Sequence, residues 1–264
     1  MSVDPGNVPN PARIYDYLLG GDHNSPIDRA AGERLKQLSP FVAKAPLLQR
    51  RCLRGLAAEL TERRGFDVII DFASGLPTQD HLHDAVRPGT TVIYSDIDPL
   101  VVKHAREILD GSRNTYYFLG DARRPDLLLS RPEVQTLLGG RHDIAMIYWG
   151  VSAFLTDDDL RFAATYFDAW AGPQSVWAFN AQLADLELTD EVIGTAVELY
   201  RKMGTPLYLR PLSDYRSLLR PWSSDDHDFV DLLAWNGLSY ESMSDEDKAA
   251  LGVTGGGYGA YLTR

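Results

Sequence analysis

An α/β fold with a mostly parallel central sheet is predicted by three features of this 264-residue sequence. Short apolar runs without polar alternation recur along its middle: Val68 to Ile70, Thr91 to Tyr94, Tyr116 to Leu119, Ile144 to Tyr148 and Ser175 to Phe179. Runs of that kind mark parallel strands covered on both faces. Helix-like segments fall between them at 79–86, Leu100 to Leu109, Glu133 to Leu138 and Asp157 to Ala169. Strand and helix in alternation mean βαβ units. Third, each of the first three runs ends in an aspartate beside turn residues, which places polar chemistry at the carboxyl edge of such a sheet.

Residues 1–64 read as a helical cap. Pro9 and Pro11 break early structure, and Ala12 to Leu19 carry helical apolar spacing closed by Gly20-Gly21. A polar loop, Asp22 to Pro26, precedes a helix over Asp28 to Leu38. Pro46 is expected to open a longer helix through Arg64, with Leu47, Leu48, Leu53, Leu56 and Leu60 inward. Beyond the sheet, helices are expected over Glu191 to Met203, Asp214 to Leu219 and His227 to Trp235. Tyr208-Leu209 starts a strand or turn. Leu238 to Glu241 and Tyr258 to Leu262 are expected to form a closing strand pair, and Ser244 to Ala250 a solvated segment. Without an internal repeat or linker, the reading is one domain over 1–264, the cap at 1–64 and the sheet core at 65–264.

Bulk composition narrows the function classes. The net charge of −11 opposes phosphate-backbone binding, although Arg50, Arg51 and Arg54 form a local basic cluster, so no nucleic-acid partner is expected. Nowhere do 18 apolar residues run together, so no membrane span is expected. Cys52 is the single cysteine, which rules out an internal disulfide and suits a reducing compartment. The start, Met1-Ser-Val-Asp-Pro-Gly, has neither the basic nor the apolar part of a signal peptide, and a cytoplasmic location is expected. The histidines, acids and lone cysteine lack metal-ligand spacing, so no metal is expected.

The strand ends carry the chemistry. After the first run comes Asp71-Phe-Ala-Ser-Gly75-Leu-Pro-Thr78, where a glycine lets backbone approach a ligand and an acid can hold an ammonium or organise the loop. A dinucleotide site needs more glycines and free amides for its pyrophosphate, and Pro77 removes an amide here. That speaks against a nicotinamide oxidoreductase and suits an adenosine ligand with an amino-acid tail and no phosphate. Asp96 ends the second run, where an acid accepts hydrogen bonds from ribose hydroxyls. Asp98 before Pro99 reads as a helix N-cap. Asp121 ends the third run, placed either to accept from an adenine amine or, structurally, to cap a helix or pair with Arg123 or Arg124.

These three stations look like those of the Rossmann-like class I S-adenosylmethionine-dependent methyltransferases. More narrowly, Ala12-Arg-Ile-Tyr-Asp-Tyr-Leu-Leu-Gly-Gly21 with Asn24 and Asp28-Arg29 resembles the N-terminal signature of an actinobacterial family of S-adenosyl methyltransferases. Gly75-Leu-Pro-Thr78, His83, the Tyr94 to Pro99 segment and Gly256 to Ala260 are similar to its later blocks. The resemblance implies a mostly parallel seven-stranded sheet with an antiparallel last strand, under an N-terminal helical cap. It implies S-adenosyl-L-methionine as cofactor, contacted by Tyr15, Gly20, Gly21 and Asn24 from the cap. From the sheet it implies Asp71, Ala73, Gly75, Asp96, Ile97, Asp121, Ala122 and Tyr148. Two departures stand out: Gln49-Arg50 replaces the family's usual Asn-Arg, and Ala153 falls where the family usually has histidine.

In-line placement of a nucleophile is the main task in methyl transfer, with a base required when the nucleophile arrives protonated. His23, in its loop with Asp22 and Asn24, and Tyr148, beside Trp149, are the candidate catalytic groups. Each also has a structural reading, as a solvated loop residue and as core packing respectively. A small-molecule methyl acceptor is the expected partner, with room left for a homodimer. A protein that binds the cofactor without transferring methyl groups is the alternative.

Overall fold

In the computed structural model, which describes residues 8–78 and 80–264, the five apolar runs form the parallel strands of one sheet. They are β1 (Val68–Asp71), β2 (Thr91–Asp96), β3 (Thr115–Leu119), β4 (Ala145–Tyr148) and β5 (Val176–Gln182). The leader reading of the first residues and the helix start at Gln79 lie outside the described residues. Alternate residues of each strand supply opposite faces, as the period of two requires. Val68 and Ile70 point into one core and Ile69 into the other.

The strand path is β3-β2-β1-β4-β5-β8-β6, seven strands long, where β6 is Ser223–Ser224 and β8 is Gly257–Thr263. A further two-residue strand, β7 (Val230–Asp231), also pairs with β8. The last strand, β8, runs antiparallel to β5, with Phe179 opposite Ala260. Order therefore reverses at β1, between β2 and β4, and a crevice opens beyond the carboxyl ends there.

Helices cover both faces. One face carries α5 (Pro125–Leu129), α6 (Pro132–Leu138), α7 (Asp157–Trp170) and α9 (Leu212–Leu218), packed around the buried rings of Phe167, Trp177 and Trp222. The other carries α3 (Phe41–Ala58), α4 (Pro99–Ile108), α10 (Leu232–Trp235) and α11 (Asp245–Leu251). Among the described residues no helix is long and apolar enough to cross a membrane.

Several local expectations are corrected. The long cap helix starts at Phe41 and holds Pro46 inside it, then ends in one π-type turn, Glu59–Arg63. The helix expected over 79–86 shrinks to a single 3-10 turn, Leu82–Asp84. Side chains take its amides instead: His81 Nδ1 accepts from Leu82 N at 3.0 Å and the Tyr94 hydroxyl from His83 N at 3.0 Å. Within His227 to Trp235, Val230–Asp231 is strand, because β8 offers it an edge. Tyr258 to Leu262 pairs with β5, so Leu238 to Glu241 is no strand and Tyr240–Ser242 is a 3-10 turn. The acidic stretch from Ser244 is α11, whose Ala250 and Leu251 are buried against the sheet core.

The cap comprises α1 (Pro11–Leu18), α2 (Pro26–Leu38) and α3. Arg13, on α1, fastens it to the sheet. Its Nε donates to Asp28 of α2 at 2.9 Å and its Nη1 to Asp98 at 2.7 Å, while Asp98 caps α4 by accepting from Leu100 N. Arg13 and Asp28 are both almost fully buried. Burial alone would raise the Asp28 carboxyl, but the bonds from Arg13 and Ser25 more than offset it and leave its pKa below the ordinary value. Breaking a buried pair from one side strands the other charge. Arg13→Met is therefore expected to cost about 3–5 kcal/mol in urea unfolding. The double variant Arg13→Met/Asp28→Asn should recover part of that loss; a single variant as stable as the parent would show that Asp28 finds another counter-charge.

Candidate functional site

A cleft of about 320 Å³ lies beyond the carboxyl ends of β1, β2, β4 and β5, roofed by the cap and by α8 (Asp190–Lys202). Its polar end is built by the loop after β1. Gly75 takes φ +65°, a left-handed conformation that favours glycine, and its loop is held from several sides. Ser74 N donates to Ser95 O at 2.8 Å, Tyr117 Oη to Gly75 O at 2.6 Å, and Gly75 N to Asp96 Oδ2 at 3.2 Å. Beneath it His81 is fully buried. With Nδ1 accepting from Leu82 N, its Nε2 proton points at Ser74 O, 3.4 Å away. Burial, aided by the nearby Arg50 charge, holds this imidazole well below its ordinary pKa, so it stays neutral.

Asp71 and Asp96 both line the cleft. Burial raises Asp71 to about 8, against the opposing pull of Ser74 and Arg50, and its Oδ1 has no partner. Burial likewise raises Asp96 to about 6, although Asp98 N donates to its Oδ1 at 2.9 Å and Gly75 N to its Oδ2. A carboxylate has about four acceptor positions, so Asp96 keeps capacity for two further donors. Beside it Ile97 is 52% exposed, an apolar surface at the rim.

Arg50 reaches the same space from α3. It is 7% exposed, donates through Nη2 to Leu76 O at 3.3 Å, and lies 5.5 Å from the Tyr15 ring centre. Its Nε and Nη1 are buried and unpartnered. A guanidinium with two idle donors in a dry site is costly unless an anion completes it. Tyr15 donates its hydroxyl to Pro46 O at 2.8 Å, and burial pushes that hydroxyl up to about 12, so it works as wall and donor rather than as a base.

Of the residues singled out in the sequence, Tyr15, Asp71, Ala73, Gly75, Asp96 and Ile97 line the cleft. The others stand elsewhere. Gly20, Gly21 and Asn24 form a turn around the buried Asp16 carboxylate, whose Oδ2 accepts from His23 N and Asn24 Nδ2, both at 2.9 Å. A side chain on Gly21 would meet Asp16 at 2.1 Å, which accounts for that glycine by packing. His23 places Nδ1 2.9 Å from Asp22 and its ring 5.8 Å from that of His104, outside the cleft wall. Asp121 is held by Arg123 at 2.7 Å. Tyr148 is fully buried among Phe72, Phe167 and Trp177, donating its hydroxyl to the Ala122 carbonyl, and neither Tyr148 nor Ala122 reaches the cleft.

Arg13, Asp16 and Gln182 were not singled out. The first two sit inside the Ala12 to Gly21 block, where a buried charge in an amphipathic helix was the available signal. Gln182, at the end of β5, gave none.

The sequence pattern described as S-adenosyl methyltransferase matches residues 2–256. Among curated proteins none matches the chain. A candidate methyltransferase of Thermobifida fusca YX is 24% identical, with a TM-score of 0.84 over 97% of this chain and 95% of that one. A DUF574 family protein of Streptomyces avermitilis is 22% identical, with a TM-score of 0.82 over 98% of both chains. At those identities the two structures show a shared fold.

The Asp71 carboxyl gives a pH test of this geometry. Unfolded, it ionises near its ordinary value; folded, it holds its proton to about pH 8. The native state therefore binds more protons between these limits, and stability from this group is lost as pH rises through them. Asp71→Asn should match the parent at pH 4 and gain on it steadily up to pH 8 in ligand-free thermal melts, then hold a constant lead. A lead that does not change with pH would place Asp71 in a solvated setting.

Proposed function

This chain belongs to the S-adenosyl methyltransferase family, and from that premise we propose that it transfers the methyl group of S-adenosyl-L-methionine to a small-molecule acceptor held in the same cleft. The observation that carries the reading is the meeting of Asp96, Asp71 and the half-paired Arg50 in one cavity. The cofactor supplies a methyl group on a cationic sulfur, which needs an aligned lone pair and little further activation.

The residues present fit that molecule. Asp96 would take the two ribose hydroxyls on its free acceptor positions, and the exposed Ile97 side chain would lie against the adenine. Arg50 would hold the carboxylate of the methionine end through Nε and Nη1, with the unpartnered Asp71 oxygen near the amino group. Asp121 would reach an adenine amine by releasing Arg123, so we assign the base to Ile97 instead.

Placement, rather than a built-in base, is what the cleft offers the acceptor. His81 is neutral but tied under the loop, and His23 lies elsewhere. The alanine at 153 does not weaken the reading. Ala153 is fully buried, accepts Tyr208 N through its carbonyl at 2.7 Å, and is absent from the cleft wall.

Calorimetry tests the assignment. S-adenosylhomocysteine is expected to bind and NAD to give no heat. Asp96→Ala should weaken the adenosyl ligand by about 1–3 kcal/mol, the scale of bonds to a charged acceptor. The parent should prefer S-adenosylhomocysteine over 5′-methylthioadenosine, which lacks the amino-acid tail, and Arg50→Met should narrow that preference. An unchanged preference removes Arg50 from the carboxylate site; tighter NAD binding removes the methyl-donor reading altogether.

A further inference from the structure

The cleft continues past the polar end into a chamber with different chemistry. Its floor is the carboxyl end of β4 and β5, at Trp149, Gly150 and Gln182, and its far wall is α8 with Leu207 and Leu209. The acidic and basic side chains that line the cavity, Arg50, Asp71, Asp96 and His81, all belong to the polar end, and none of the described residues lining this second half carries a charge.

Helix α8 makes the chamber unusual. It is amphipathic, with Glu191, Glu198, Arg201 and Lys202 on its polar side, yet none of its residues is fully buried. Val192, Ile193, Ala196, Val197 and Tyr200 recur at helical spacing, are each half-buried, and all line the cavity. A helix normally covers such a stripe with protein. Here only its C-terminal end, at Tyr200, packs with Leu35, Leu38 and Val42 of the cap, and Val192, Ile193, Ala196 and Val197 are left lining the cavity. Two polar atoms in the wall are buried without a partner, Gln182 Oε1 and Thr205 Oγ1. Gln182 Oε1 can only accept, so a donor on the ligand would satisfy it.

We infer that this chamber between α8 and the cap is the acceptor site, and that it takes an uncharged, largely apolar small molecule that presents a hydroxyl or N–H donor to Gln182. The inference rests on the methyl-transfer reading for what happens to that molecule, but the chamber's chemistry stands apart from it. A phosphorylated, carboxylated or sugar-like acceptor would surrender its hydration to aliphatic walls with no counter-charge to replace it. An apolar one gains by covering the stripe that α8 leaves open.

The test uses N-phenyl-1-naphthylamine, a neutral probe that brightens in apolar surroundings, titrated into the whole protein with S-adenosylhomocysteine present. Saturable binding is expected at one site per chain. Val197→Asp should weaken it roughly tenfold or more by placing a charge on the apolar wall. Ala196→Trp, which fills the chamber without adding charge, should do the same, and it covers the case in which the aspartate disturbs α8. Calorimetric affinity for S-adenosylhomocysteine should stay within about twofold of the parent in both, since neither residue belongs to the polar end. Probe binding that is absent from the parent, or unmoved by either variant, overturns the inference. Failure of the parent to bind S-adenosylhomocysteine while still binding the probe would sink the methyl-transfer reading and leave the apolar chamber standing.

Discussion

The guanidinium of Arg13 joins three parts of the chain that sequence places far apart: the cap helix that carries it, Asp28 on the next helix, and Asp98 at the turn after β2. Asp98 is also the N-cap of α4 and donates its own N–H to Asp96. One cation thus ties the cap to the loop that positions a cleft carboxylate. The cap supplies Tyr15 and Arg50 as one wall of the cavity and the strand ends supply the other, so the tie spans both walls. The buried pair is therefore better understood as fixing geometry than as adding stability, because its desolvation offsets much of its attraction.

Inside the cavity the electrostatics are divided along the sheet. Desolvation is the largest influence on Asp71, Asp96 and His81 alike, and it pushes all three toward their neutral forms. Arg50 partly opposes it at Asp71 and reinforces it at His81. The β1–β2 half is thus a dry site with unsatisfied hydrogen-bonding capacity, whereas the β4–β5 half is aliphatic and uncharged among the described residues. A ligand with one polar and one apolar partner would match that division.

Much of this was legible in the sequence, for a physical reason. A doubly covered strand needs a continuous apolar run, so β1 to β5 announced themselves, and acids at their ends marked the rim. The Gly75 turn was legible because left-handed backbone selects glycine. The failures were where side chains override local propensity. The segment 80–86 has helical composition, but His81 and Tyr94 capture its amides. Tyr148 sits at a strand end like the acids, yet the period of two turns it into the α7-side core. Asp121 could be read two ways, and an arginine two residues on was enough to engage it.

The cap motif holds a different lesson. Tyr-Asp-Tyr-Leu-Leu-Gly-Gly followed by Asn looks like a ligand-binding turn, since glycines and an amide are the usual means of approach to a small molecule. In the fold, Asp16 is the centre of that turn: its carboxylate gathers the amides of the loop, and Gly21 is small because Asp16 occupies the place of a side chain. Arg13, three residues earlier, lies almost one turn away on the same helix and makes the cap's tie to the sheet. The motif's charges thus act within the scaffold, whereas Tyr15 between them and Arg50, 37 residues beyond Arg13, line the cleft. A dense N-terminal signature can accordingly specify how a wall is built while the groups that line the cleft are spread along the chain.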